Sequence, residues 1–279
     1  MSIKKHTIEN DFLKVEIIPE LGGRISSLIY KKSKKDWVWK NPNLKVGKVP
    51  DAKNYDDNWQ GGWEELFPND AVENFSWGKG HDHGELWFNS WDLKYINLDS
   101  AKLEINNLDS GSKFSKLITI DGPKLICEYE GEINFIDYFL FKLHLAIPLE
   151  KTLSIKSNIQ SINKVDPNFG NILNTEDNEK FLNPNINSGL FDFAYLDILG
   201  NEISVLDENR NQLKIKYDDK NLKYFWIFQS QGGWMNHNVI VLEPCTNGRK
   251  DITEAASQNM SIKGPKDFKT KYIVELDKL

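Results

Sequence analysis

Apolar and polar residues alternate with a period of two along much of the chain. Leu13, Val15 and Ile17 are set against Lys14 and Glu16; Phe139, Phe141, Leu143, Leu145 and Ile147 against Lys142 and His144; Leu153, Ile155 and Ile159 against Ser154, Lys156 and Asn158. Such alternation predicts strands with one face buried. Further strand-like runs cover 117–120, 125–129, 213–217, 222–229, 239–242 and 271–276. Turn-forming residues separate them, among them Asp121-Gly122-Pro123, Gly131, Gly200-Asn201, the stretch 207–211 and Asp218-Asp219. No long amphipathic helix is evident. Without alternation of strands and helices there is no case for a parallel doubly wound sheet, so the pattern predicts an all-β chain, a large antiparallel sandwich or barrel. No linker or internal repeat divides residues 1–279, which are expected to form one unit.

Two stretches lack the strand pattern: 41–84, rich in Trp, Gly, Pro and Asp, and 166–189, rich in Asn, Pro and Glu. Both are expected to be irregular, and long irregular segments on a rigid scaffold are where functional groups concentrate.

Composition narrows the function. The net charge is −6 and the basic residues are scattered except at Lys31, Lys32, Lys34 and Lys35, a cluster read as a solvated turn, so nucleic acid is not an expected partner. Cys127 and Cys245, 118 positions apart, have neither metal-ligand nor disulfide-framework spacing and are expected to be reduced and buried. The first twenty residues lack the apolar core of a signal peptide, and no apolar run is long enough to span a bilayer. A cytoplasmic protein without membrane contact is expected.

The common phosphate-cradling, nucleophile-elbow and zinc motifs are missing. The stretch 207–212 resembles the start of a calcium loop but lacks its Gly and final Glu, and is read as a hairpin turn. Chemistry concentrates instead between Trp59 and Trp91, where five of the nine Trp and two of the five His fall. Indoles beside carboxylates and imidazoles suit a sugar, whose C–H faces stack on rings while its hydroxyls need charged partners. Any one of these Trp equally fits a large β core. His81-Asp82-His83, if in a strand, would point two imidazoles to one side as half of a metal site, but the further ligands such a site needs are not where they should be, and no metal is expected.

The run Leu66-Phe-Pro-Asn69, then His83-Gly84 and Trp91, resembles the aldose 1-epimerase (galactose mutarotase) family. Three more landmarks follow its order: 15–28 with the Gly22-Gly23 turn, the strand-like run 239–246, and 262–265 before the closing run 272–276. The resemblance covers nearly the whole chain. It implies a single antiparallel β-supersandwich, a sugar groove, and no metal or organic cofactor, in a monomer or homodimer whose partner is a small-molecule sugar.

By that resemblance Glu243 matches the family's general base and His83 the first of its two active-site histidines. Together they imply mutarotation, in which a carboxylate takes the anomeric hydroxyl proton, an acid protonates the ring oxygen, and the opened ring closes on the other face. Arg24, Trp63, Glu64, Asn69, Trp87 and His237 are candidate substrate-binding residues. His144 is expected to point outward into solvent.

This chain departs from the family at two places. Asp70 stands where an Arg is usual, and the stretch 166–177, where a second His is expected, has none. Asn174, Glu176, Asp177, His83 or His237 would then have to supply the acid. Two other readings stay open: a carbohydrate-binding protein without catalysis, and a hydrolase or lyase working through Glu64, Glu65 and Glu243. With Arg24 as the only Arg in the matched motifs, a phosphosugar is the less expected substrate.

Overall fold

In a computed structural model, residues 3–49, 54–166, 172–173 and 178–279 are described. Strands dominate, as the period-two pattern predicts, and the described helices, Tyr55–Asn58, Asn178–Leu182 and Ile252–Ser257, are short.

Two large sheets carry the structure. The eight-stranded sheet runs Leu153–Lys156, Glu202–Asp207, Asn211–Tyr217, Lys266–Lys278, Lys124–Ile133, Lys113–Asp121, Ser100–Ile105, Asp92–Ile96, with every neighbouring pair antiparallel. Burial alternates residue by residue along Lys113–Asp121 and Lys266–Lys278, because one face packs on the core and the other meets solvent.

The eleven-stranded sheet behaves differently at its centre. Its middle strands are Arg24–Tyr30, Trp63–Leu66, Lys142–Pro148, Asn238–Cys245 and Tyr224–Gln231, in that order. Trp63–Leu66 is buried at every position and Lys142–Pro148 at all but the last. Trp63, Leu143, Leu145, Ile240 and Leu242 face the main core between the sheets, while Leu66, Ala146, Val239 and Val241 on the opposite face join a second apolar cluster with Trp39, Tyr55, Trp59 and Trp87. With both faces covered, these strands cannot show the in–out pattern of a half-exposed sheet. For this reason the stretch 41–84, expected to be irregular, contains a central strand. Cys127 and Cys245 are free and buried, as expected.

Register then aligns the chemistry. His144 pairs with Glu64 on one side. On the other, the register that joins Lys142 to Cys245 and Leu145 to Leu242 sets His144 opposite Glu243. Side chains on alternate residues share a face, so Glu64, Lys142, His144 and Glu243 all project away from the main core, while Glu65 projects into it.

Candidate active site

A cleft of about 550 Å³ opens on this outer face, lined among others by Tyr55, Trp59, Asp70, His83, Lys142, His144, Trp234 and Glu243. At its floor a row of buried groups is connected. Glu243 Oε1 lies 3.2 Å from Lys142 Nζ and 3.3 Å from His144 Nε2. The other ring nitrogen of His144 is 3.3 Å from the Tyr55 hydroxyl, which donates to Glu64 Oε1 at 2.5 Å. Glu64 Oε2 meets Arg24 Nη2 at 2.9 Å. Glu243 Oε2 is buried and has no hydrogen-bond partner among the described residues. Glu20 Oε2 and Glu65 Oε2 are likewise buried without a hydrogen-bond partner, but Glu243 lines the cleft and they do not.

Burial raises the Glu243 carboxyl above its ordinary value, and the Lys142 ammonium only partly offsets this. Burial pushes His144 well down, helped by Lys142, so its ring is neutral at pH 7. Burial works against ionised Asp70 too, but Lys142, Lys250 and His83 outweigh it and hold that carboxyl well below the usual range. Lys142 touches Asp70 directly, and Lys250 Nζ is 3.2 Å from Asp70 Oδ1.

His83 sits at the cleft wall in the left-handed region, φ 59°, with its ring stacked on Tyr55 at 3.9 Å. Asp82 holds it, Oδ1 being 2.8 Å from His83 Nδ1 while Oδ2 accepts from the Tyr55 backbone N–H. His83 Nε2 is 3.8 Å from Asp70 Oδ1. Gly84, φ 74°, follows, packed on the Phe67 carbonyl.

The sequence-derived candidates divide. Glu243 and His83 both line the cleft. Glu64 and Arg24 lie one layer below: both are buried, and Arg24 also donates to the carbonyls of Leu21, Gly61 and Trp87. Trp63 is no wall residue, since its indole fills the core between the sheets and donates to Ala146 O. Asn69 is buried and ties its loop together by donating to the carbonyls of Ala71 and His81. Trp87 backs the site, edge-on to Tyr55 at 4.8 Å, with its N–H given to Asp82 O. His237 packs against Trp39 and Trp234, and of these Trp234 lines the cleft.

His144 is not solvated, contrary to the reading of its strand; it is 5 % exposed. Lys142, two residues earlier on the same face, is also buried, at 2 % exposed. The overlooked signal is the run Leu140-Phe-Lys-Leu-His-Leu-Ala146, apolar at both parities except for two polar residues that share a face. A strand apolar on both sides is covered on both sides, so its polar residues must face a built site. Asn174, Glu176 and Asp177 lie outside the described residues. His81 and His83 fall in a turn and engage different partners, Asp109 and Asp82. Among the described residues no group of three potential metal ligands gathers.

Solved structures share this architecture at low sequence identity. A galactose mutarotase-like protein from Clostridium acetobutylicum superposes with a TM-score of 0.72 at 14 % identity, covering 100 % of this chain and 99 % of its own. A galactose mutarotase related enzyme from Lactobacillus acidophilus gives 0.71 at 14 %, covering 98 % and 97 %. The fold is the galactose mutarotase-like sandwich. An aldose epimerase homologue from C. elegans has this fold as well, with a TM-score of 0.69 at 11 % identity over 100 % of both chains. By sequence, the family described as a domain of unknown function (DUF5107) matches residues 2–69. No curated protein matches. Among the described residues no helix is long and apolar enough to cross a membrane.

Proposed function

We propose that the cleft binds an aldose and interconverts its anomers by acid/base ring opening. Glu243 takes the anomeric hydroxyl proton through Oε2, and His83 protonates the ring oxygen as the C1–O bond opens. The observation that carries this reading is the buried, unpartnered Oε2 of Glu243, a residue that lines a cleft whose aromatic lining includes Trp59, Phe228 and Trp234. Burial raises the proton affinity of that side chain above its value in water, and the cleft supplies rings for the sugar's C–H faces.

The cations near the site are already committed, Arg24 to Glu64 and both Lys142 and Lys250 to Asp70. This favours an aldose without phosphate. The hydrolase or lyase reading needs Glu64, Glu65 and Glu243 around one bond, whereas Glu64 is bound to Arg24 and Tyr55, and Glu65 faces Lys116 and Tyr129 in the core.

One-dimensional NMR of freshly dissolved α-anomers of glucose, galactose, xylose and modified hexoses, with and without protein, tests the proposal. Faster equilibration of one of them is expected, with a loss of about two to four powers of ten in Glu243→Gln and His83→Ala. Full rates in both variants reject the assignment. Binding without exchange would make this a carbohydrate-binding protein.

A further inference from the structure

The chain of contacts beneath the cleft has a direction. Burial pushes the Glu64 carboxyl up, but the Arg24 guanidinium, 2 % exposed and 2.9 Å from Oε2, and the Tyr55 hydroxyl both favour its ionised form. Ionised Glu64 is an acceptor only, so the 2.5 Å contact takes the Tyr55 hydroxyl proton. The Tyr55 oxygen then offers lone pairs to His144 Nδ1, 3.3 Å away, and the hydrogen bond exists only if Nδ1 carries the proton. In the neutral ring Nε2 is then bare, and it lies 3.3 Å from Glu243 Oε1. Lys142 Nζ donates to the same Oε1 at 3.2 Å, and a proton between Nε2 and Oε1 relieves the repulsion that remains between their lone pairs.

We propose that Tyr55 and Glu64 are positioning residues that lock His144 as its Nδ1–H tautomer, so that Nε2 faces Glu243 and the two side chains hold one proton between them. Burial pushes the Glu243 carboxyl up and the His144 ring down, so a proton shared by the two is drawn towards Glu243 Oε1. The other charged and titratable groups around the pair are Lys142, Asp70, His83 and Arg24.

This assignment, whose catalytic consequence rests on the ring-opening reading, gives the candidate base a second stage. As Oε2 takes the proton of the anomeric hydroxyl, the Oε1 proton moves to His144 Nε2. Glu243 stays neutral and the positive charge falls on an imidazolium whose Nδ1–H already points to Tyr55 and, beyond it, to Glu64. His83 gives its proton to the ring oxygen as the C1–O bond breaks and the carbonyl forms. Ring closure from the other face reverses every transfer, so protons balance over the cycle. The missing histidine of 166–177 is thereby replaced, at the candidate base, by one on Lys142–Pro148.

Full-length protein labelled with 15N in its histidine rings tests this. His144 signals are assigned by their loss in His144→Gln. At pH 7 the wild type is expected to show a pyrrole-like Nδ1 and a pyridine-like Nε2 at His144. Tyr55→Phe keeps the ring over His83 and removes the oxygen, so His144 should switch to the Nε2–H tautomer and anomer exchange should slow about 10-fold or more. Glu243→Gln should keep the Nδ1–H form, because its amide can donate to Nε2. A wild-type Nε2–H ring, or a tautomer unmoved by Tyr55→Phe, overturns the proposal. The predicted tautomer in a protein that exchanges no aldose anomers would uphold the assignment while removing the mutarotase reading.

Discussion

Lys142 Nζ lies 3.2 Å from Glu243 Oε1 on the neighbouring strand and also binds Asp70, so one buried ammonium serves two buried acidic side chains. The Trp226 ring, 4.8 Å from the ammonium, closes another side. Removing the cation leaves Asp70 with Lys250 and Glu243 with no cation in contact. Lys142→Met is expected to destabilise the protein by about 3–5 kcal/mol in urea unfolding. Adding Asp70→Leu should return part of that loss, since it deletes the charge left behind. Strictly additive costs would show that the two side chains are not coupled.

Acid should reveal the same pair. The folded-state Asp70 carboxyl titrates well below its ordinary 3.8, so as pH falls the unfolded chain takes up the proton first. The stability it contributes is complete above that ordinary value and is lost as pH drops below it towards the folded value. Asp70→Asn lacks this titration. The stability gap between wild type and variant should therefore narrow below pH 3.8, by at most about 1.4 kcal/mol per pH unit. Parallel stability curves down to pH 2 would contradict the lowered value.

Trp234 offers a test of binding apart from chemistry. It is half-buried at the cleft, edge-on to Phe228 at 5.4 Å and 6.1 Å from Trp59, while the proton-handling groups lie elsewhere. Trp234→Ala is expected to weaken aldose affinity about 10-fold, with turnover at saturation nearly unchanged. A fall in saturated rate with unaltered affinity would place this ring in the chemistry instead.

Gly84 secures the turn that presents His83. At φ 74°, a Cβ here would fall on the Phe67 carbonyl, and neither backbone can yield without moving the loop. Gly84→Ala should cost about 3 kcal/mol or more in stability and lower anomer exchange together with His83→Ala. A variant with unchanged stability would mean that the loop accommodates the methyl group.

The two sheets differ in how much of them the chain reveals. Lys113–Asp121, Lys124–Ile133 and Lys266–Lys278 face water on one side, and their alternating residues are legible as strands. Trp63–Leu66 is covered on both sides and reads as part of an irregular stretch. The same covering misleads at Lys142 and His144, whose alternation with apolar neighbours mimics a solvated face. Glu243 and His83 emerge through motif resemblance, whereas Tyr55 and Lys250 sit in no motif and acquire meaning only from what folds against them.

Local pattern was sufficient for the all-β class, most strands of the eight-stranded sheet and the Trp-rich segment that contributes to the cleft, because side-chain periodicity and turn chemistry are properties of neighbouring residues. Tertiary structure alone decided that Trp63 belongs to the core, that Glu64 and Glu65 serve opposite faces, and that His144 stands between Glu64 and Glu243. Those assignments depend on strand register and on a second layer packed over the sheet, and both are set by contacts between residues far apart in the chain.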